Sequence, residues 1–319
     1  MEKIFYSDNG STAVEVAIKM SLQYWNNKGI KKKKLVALEN AYHGDTFGAM
    51  AVSGRSVFTE AFTEFLFDVQ FVPAPGTPES VAALEEILQK GDVAAFIAEP
   101  LIQGSGGMLM YTAEYLEQYF ILCRQYDTLI IADEVMTGFG RTGPLFACDH
   151  ITTAPDMVCL SKGLTGGSLP LGVTACTQQI FDAFYEDDRK KMLYHGHSFT
   201  GNPTIIASAL ASLDLLLMDS CTESRQRITA AHKAFAETIK GDPFIADIRQ
   251  TGTIIAIELK TDNPSYHSGL RDVMYQFFLD RKIIMRPLGN IIYVLPPYCI
   301  SDEELDYVYG CIREMLATL

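Results

Sequence analysis

An α/β architecture built on a largely parallel sheet is what this sequence predicts, and three observations predict it. Short runs rich in Val, Ile and Leu alternate with amphipathic stretches of helical spacing. No motif recurs at a fixed period and no Pro/Ser-rich linker appears, so a repeat array is excluded. The texture changes near Cys221, where a long polar helix pattern leads into two further strand-like runs. The expected organisation is therefore a large domain over residues 1–220 and a smaller α+β domain over 221–319.

In chain order, "MEKIFYSDNGSTAVEVAIKM" enters at once into a Gly-containing turn and a helix, with no edge strand ahead of it. The basic run Lys31–Lys34 reads as a solvated loop, the usual fate of a short charge run. "KLVALEN" (Lys34–Asn40), "VAAFIAEP" (Val93–Pro100), "TLIIADE" (ending at Glu134), "DMVCLSK" (ending at Lys162) and "LGVTACT" (Leu171–Thr177) read as strands. Between them "SVAALEEILQKG" and "TAEYLEQYFILCRQYD" read as amphipathic helices. "NPTIIASALASLDLLLMDS" (Asn202–Ser220) reads as one long helix bridging the two domains. "TESRQRITAAHKAFAETIKG" is a polar helix, and "GTIIAIELK" and "IIYVLPPY" are strand-like.

With 319 residues there is material for a sizeable core. Apolar residues at 48% and charged residues at 20% mark an ordinary globular chain, and the net charge of −13 argues against a nucleic-acid binder. Seven cysteines form no C-x-x-C pair, which excludes the common zinc and dithiol patterns. Such a scattered set, with Cys148, Cys159 and Cys176 read as core thiols, fits a reducing cytoplasm. No signal peptide is read ahead of Ser7, and no apolar run reaches the ~18 residues of a membrane span. His150, His232 and His267 show no metal spacing, and the pair His195 and His197 lacks a third ligand.

"LIIADEVMTGFGRTG" carries a literal G-x-G-x-x-G at Gly138, Gly140 and Gly143. A dinucleotide fingerprint needs its first glycine directly after the strand and a helix after the last. Here the glycine comes late, and "PLFACDHITTAPD" after it has no helical period. The acid at the strand end carries the stronger signal. Asp133 and Lys162 end successive strand patterns, where ligands of open α/β sheets gather. A structural ion pair is one reading. A pyridoxal phosphate site is the other, with the lysine on the aldehyde and the carboxylate on the pyridine nitrogen. Asn9-Gly10-Ser11-Thr12 opens a helix whose N-terminus suits a phosphate, although a simple N-cap at Ser11 or Thr12 explains it equally. Tyr42 and His43 follow a strand and offer a face for a ring.

Taken together, "DNGST", "YHGDTFGAM", "EPLIQGSGGM", "ADEVMTGFGRTG", "LSKG" and "HGHSFTGNP" resemble the class III aminotransferases among the fold-type I pyridoxal-phosphate-dependent transferases. The resemblance runs from about Phe5 to the C-terminus. "YHGDTFGAM", "LYHGHSFTGNP" and "IMRPLGNIIYVLPPY" are most similar to the member that uses S-adenosylmethionine to aminate 8-amino-7-oxononanoate in biotin biosynthesis.

The resemblance implies a cofactor, pyridoxal 5′-phosphate, and a cytoplasmic homodimer with shared active sites. It makes Lys162 the Schiff-base lysine and proton shuttle, and Asp133 the partner of the pyridine nitrogen. Gly10 and Ser11 would bind the phosphate, and Tyr42 would lie against the ring. Asp45 and Gly196 would line the substrate site, with His197 and Ser198 reaching the phosphate of the neighbouring subunit. Arg286 would clamp the carboxylate of the oxononanoate, and Tyr293 would recognise the donor. Ser198 stands where threonine is common, and His197 where proline often stands. Family members carry a segment with a tryptophan pair ahead of the "SDNGSTAVEVA" turn. A truncated gene model or fragment is therefore expected. The rival readings are an ornithine- or 4-aminobutyrate-type transaminase and a non-catalytic cofactor-binding remnant.

Overall fold

The computed structural model describes residues 1–262 and 269–319, so His267 lies outside the described residues. Its strands are β1 (Lys3–Ser7), β2 (Lys34–Leu38), β3 (Gln70–Val72), β4 (Val93–Ala98), β5 (Ile102–Gln103), β6 (Leu109–Met110), β7 (Leu129–Asp133), β8 (Met157–Leu160), β9 (Gly172–Cys176), β10 (Ile245–Thr251), β11 (Ile254–Leu259) and β12 (Ile291–Val294). Its α-helices are α1 (Gly10–Asn27), α2 (Phe47–Val52), α3 (Pro78–Leu88), α4 (Ala113–Gln125), α5 (Gln178–Asp182), α6 (Pro203–Leu216), α7 (Asp219–Ile239), α8 (Gly269–Asp280) and α9 (Asp302–Ala317). The chain forms two compact units, one of Met1–Phe139 with Pro144–Leu215 and one of Gly140–Gly143 with Leu216–Leu319.

In the first unit, seven strands form one mixed, mostly parallel sheet in the order β1-β9-β8-β7-β4-β2-β3. Strands β8, β7, β4, β2 and β3 are mutually parallel, while β9 runs antiparallel to β8. The central strands β4 and β7 are buried throughout, which is why they read as unbroken apolar runs and not as alternation. Helix α1 buries Ala13, Val14, Val16, Ala17, Tyr24 and Trp25 against this sheet, and the Trp25 indole N–H donates to the Ala94 carbonyl at 2.8 Å. Because the parallel strands point one way, the segments after β2, β4, β7 and β8 all leave at the same edge.

Three expectations need correcting. The first residues form an edge strand: β1 pairs antiparallel with β9 from Lys3↔Cys176 to Ser7↔Gly172. Five residues directly before a helix cap are too short a window for alternation to show. The basic run is not wholly solvated. Lys32 is buried, donates to the Tyr126 carbonyl at 3.1 Å and the Asp127 carbonyl, and lies over the Trp25 ring at 4.4 Å. Its long apolar stem makes such burial cheap once the ammonium finds acceptors. Finally, Asn202–Ser220 is not one helix. Met218 adopts an extended conformation (φ −66°, ψ 144°) between α6 and α7, a break that side-chain periodicity does not encode.

The second unit holds the antiparallel sheet β10-β11-β12 with a core that includes Phe235, Ile255, Ile257, Phe278, Ile292 and Ile312. Helix α9 starts at a capping box, in which the Ser301 hydroxyl accepts from the Glu304 amide and the Glu304 carboxylate accepts from the Ser301 amide. His232 is a core residue here, bonded to the Tyr309 hydroxyl (2.6 Å) and the Thr253 carbonyl (3.1 Å). Cys159 and Cys176 are buried thiols, Cys148 is half-buried, and all seven cysteines are free.

Candidate active site

A cavity of about 240 Å³ opens at the carboxyl edge of the large sheet, lined by Gly10, Ser11, Tyr42, His43, Glu99, Asp133 and Lys162 among others. Each wall follows from a chain feature. The N-terminus of α1 is held by Asn9, whose side chain accepts from the Thr12 amide at 3.0 Å while the Thr12 hydroxyl accepts from the Asn9 amide at 3.0 Å. The N-cap is thus Asn9, not Ser11 or Thr12. The amides of Gly10 and Ser11 precede the first intrahelical bond, Ala13 to Asn9, and form an anion-receptive end. A side chain at Gly10 would strike Val135, its Cβ falling 2.8 Å from Cγ1.

The loop after β2 is clamped to α1. The Ser11 hydroxyl accepts from the Asp45 amide at 3.2 Å. One turn further, the Glu15 carboxylate accepts from Thr46 Oγ1 (2.6 Å), the Gly48 amide (2.6 Å) and the Ala49 amide (3.2 Å). Ser11 and Glu15 are four residues apart and so share a helix face. Gly44, with φ +129°, passes so close that a Cβ would lie 2.0 Å from Ser11 Oγ. This clamp sets Tyr42 in the cavity wall, and the Tyr42 amide donates to Glu99 Oε1 at 3.0 Å.

Two carboxylates face the cavity from strand ends. Asp133 closes β7; its Oδ1 accepts from the Val135 amide (3.1 Å) and its Oδ2 lies 2.6 Å from His43 Nδ1. Glu99 follows β4 and also accepts from the Gly104 amide at 3.0 Å. Burial, and to a smaller extent the neighbouring Asp133, push its carboxyl up to about 7 against the lowering effects of His43 and the two amides. Glu134 points elsewhere: fully buried, it ties the glycine-rich loop by accepting from Thr137, Ala147 and Cys148, and burial raises its pKa. The glycines of that loop open no dinucleotide-type helix; the chain after them makes only a short 3₁₀ turn at Ala147–His150.

Lys162 follows β8 and is exposed at the cavity. It has φ +45°, a left-handed backbone that costs about 1–3 kcal/mol for a non-glycine residue and is held by its surroundings. Ser161 before it donates to the Leu171 carbonyl at 2.6 Å, and a Cβ on Gly163 after it would meet Phe139 at 2.9 Å.

The cavity therefore assembles Gly10, Ser11, Tyr42, Asp133 and Lys162, while Asp45 lines an adjoining hollow beside Tyr42. Gly196 and Ser198 lie on an exposed stretch outside its lining, and His197 there sits 3.4 Å from Asp8. Arg286 is exposed and Tyr293 half-buried, both in the second unit. Sequence reasoning missed Glu15 and Glu99. Glu99 had a legible signal, an acid at a strand end like Asp133; Glu15 had none, since it is one polar residue on an apolar helix. Among the described residues no three metal-ligating side chains converge.

The model of the aminotransferase class-III family matches residues 1–316. The chain belongs to the class-III aminotransferases. It is 45% identical, over 99% of its own length and 77% of the relative's, to the adenosylmethionine-8-amino-7-oxononanoate aminotransferase of Synechococcus elongatus. The crystal structure of the enzyme of that name from Methanocaldococcus jannaschii superposes with a TM-score of 0.91 at 35% identity, covering 98% of this chain and 75% of that one. An amine transaminase from an uncultivated Pseudomonas species, solved in its PLP-bound form, superposes with a TM-score of 0.91 at 29% identity, covering 100% of this chain and 77% of that one. This class-III aminotransferase thus has the mostly parallel sheet expected of the fold, and an enzymatic activity of that class.

Proposed function

We propose that this class-III aminotransferase uses pyridoxal 5′-phosphate to move the amino group of S-adenosylmethionine onto 8-amino-7-oxononanoate, yielding 7,8-diaminononanoate for biotin synthesis. The observation that carries the chemistry is Asp133 and Lys162 at neighbouring parallel strand ends, facing one cavity that also receives the N-terminus of α1. The substrate pair rests on the relatives of that name at 45% and 35% identity.

The residues present fit the cofactor. The α1 amides and Ser11 hydroxyl suit a phosphate, the closeness of Gly10 to Val135 keeps that end bare, Asp133 suits a protonated ring nitrogen, and Lys162 supplies the amine. When bound, pyridoxal phosphate supplies an electron sink for negative charge at the substrate α-carbon. Lys162 Nζ takes the α-proton and later returns it, acting as general base and then acid. Asp133 holds its charge at a fixed place because both oxygens have donors. Tyr42 supplies the aromatic wall. Asp45 and Gly196 serve the substrate, Arg286 binds the oxononanoate carboxylate as a planar bidentate donor, and Tyr293 contacts the donor substrate.

Residues 1–220 are read as the large cofactor-binding domain and residues 221–319 as the small domain. A cytoplasmic homodimer completes the proposal, with His197 and Ser198 serving the phosphate of the second copy. Leu210 and Leu213, three residues apart on α6, are exposed, an apolar face that a second copy would cover, and the seven free thiols suit a reducing compartment. The test is production of 7,8-diaminononanoate by the purified protein with both substrates, followed by mass spectrometry, with Lys162→Ala as the inactive control. Half-reactions with single donors decide the substrate. Conversion of the bound cofactor by ornithine or 4-aminobutyrate, and not by S-adenosylmethionine, would overturn the donor assignment. Cofactor binding without any turnover would leave only a binding protein.

A further inference from the structure

We infer that Lys19, Gln23 and Asn27 on α1 are positioning residues: they fix residues 191–195, the lead into His197 and Ser198, and thereby act on the cofactor site of the second copy. The inference rests on the proposed function, in which His197 and Ser198 serve the phosphate of that copy. Ser11, Glu15, Lys19, Gln23 and Asn27 recur every four residues, so one polar stripe runs the length of α1. Its first two members hold the loop after β2. The other three spend their donors on a different stretch of chain. Lys19 Nζ donates to the Tyr194 carbonyl at 3.0 Å. Gln23 Nε2 donates to the Lys191 and Met192 carbonyls at 3.1 and 2.9 Å. Asn27 Nδ2 donates to the Ala183 and Lys191 carbonyls at 3.0 and 2.8 Å.

These contacts order a segment that cannot order itself. Leu193–His197 belong to no helix or strand, so their carbonyls have no ladder to join. Because the acceptors are carbonyls, the stripe fixes the backbone whatever its side chains are. The pairing also sets a direction. Lys191 lies at Asn27, Tyr194 at Lys19, and His197 Nδ1 lies 3.4 Å from Asp8 Oδ1, just ahead of the α1 N-cap. The segment therefore runs antiparallel to α1, from its last turn to its first. The lengths agree: the helix rises about 12 Å from Lys19 to Asn27, and an extended chain spans about 10 Å from Lys191 to Tyr194. Leu193 packs on the core under α1, and the His195 ring meets Phe5 edge-on at 5.7 Å. Lys19 Nζ also lies 3.1 Å from His195 Nδ1; an ammonium only donates, so Nδ1 accepts, and burial together with Lys19 lowers the His195 pKa. Beyond these anchors Ser198 and Phe199 stand exposed, outside the lining of their own cavity. A merely solvated helix face would leave its donors to water, whereas these bonds join residues 156 to 175 positions apart.

The experiment uses hybrid dimers of two differently tagged full chains, titrated with pyridoxal phosphate. The double variant Lys19→Met, Gln23→Leu keeps the apolar stems and removes the donors. Lys162→Ala marks one chain, so the absorbance of lysine-bound cofactor reports only the site of the other. In the first hybrid the two α1 substitutions sit on the reporting chain; in the second they sit on the Lys162→Ala chain. Both hybrids carry the same set of substitutions, so a general loss of folding lowers both alike. The second hybrid is expected to bind the cofactor about tenfold more weakly, the scale of one lost hydrogen bond to a charged group, and the first to bind like a hybrid with an unaltered α1. Equal affinities, or weaker binding in the first hybrid, would overturn the inference. A second measurement needs no cofactor: amide hydrogen exchange of residues 193–198 should be about tenfold faster in the double variant than in the parent, with α1 unchanged. Parent-like exchange there overturns the inference whatever the hybrids do, and a monomeric parent overturns it as well. A dimeric parent that binds no cofactor strikes the proposed function instead, and the exchange measurement then decides whether the stripe holds the segment.

Discussion

Replacing Glu15 with alanine tests whether α1 holds the loop that carries Tyr42. The Glu15 carboxylate receives three donors, Thr46 Oγ1 and the Gly48 and Ala49 amides, at 2.6, 2.6 and 3.2 Å. The N-cap of α2, Thr46, makes no capping bond with its own side chain, so Glu15 supplies that cap. Hydrogen bonds to a charged group contribute about 1.5–3 kcal/mol each, but the three share one oxygen and Glu15 is half-buried, so the donors partly regain water; we take a total of about 3 kcal/mol. In a unit of this size that corresponds to a fall in Tm of roughly 6–12 °C. Glu15→Gln keeps an acceptor without the charge and should lose about half as much. Since the loop sets Tyr42, pyridoxal phosphate affinity should drop about tenfold or more in Glu15→Ala. Thermal unfolding and cofactor titration read both effects. A Tm within about 2 °C of the parent, on that scale, together with unchanged cofactor affinity, would refute the clamp.

Three further outcomes are expected. Gly44→Ala combines φ +129° with a Cβ 2.0 Å from Ser11 Oγ, and should cost about 2–4 kcal/mol while weakening cofactor binding; parent-like unfolding would contradict the close approach. Burial holds the Glu99 carboxyl protonated up to about 7, above its ordinary 4.5, so the stability this group contributes is full below 4.5 and is lost, by about 3 kcal/mol, as pH rises through 7. Infrared difference spectra should then show a protonated carboxyl at pH 6 that is missing in Glu99→Ala; identical spectra would remove the claim. His232 runs the other way. Burial lowers it to about 4, so its contribution is full above 6.5 and about 3 kcal/mol is lost as pH falls through 4; in His232→Gln the unfolding free energy should be flatter between pH 6.5 and 4 than in the parent.

Much of the architecture was legible before any coordinates. Strands β4 and β7 are apolar along their whole length because both faces are covered, and that pattern needs no partner to be read. Asp133 and Lys162 stood out because each ends such a run, where a parallel sheet presents its ligands. The edge strand β1 and the break at Met218 were not legible. The first is five residues long and pairs with β9 about 170 positions away in the chain, as Lys3↔Cys176 shows. The second is a single backbone conformation with no side-chain signature.

The same division runs through the site. Which residue types supply an amine, a carboxylate and a helix N-terminus is local information, carried by the residues at strand ends and by the Asn9–Thr12 cap. How those groups are held is not local. His43 meets Asp133 across 90 positions, the Tyr42 amide meets Glu99 across 57, and Glu15 meets Gly48 across 33. The reason is physical. Periodicity and capping depend on neighbours in the chain, whereas orientation of a buried carboxylate depends on donors that arrive only when separate strands have been packed side by side. Composition and order therefore specified the chemistry available, and the packed sheet specified which oxygen receives which proton.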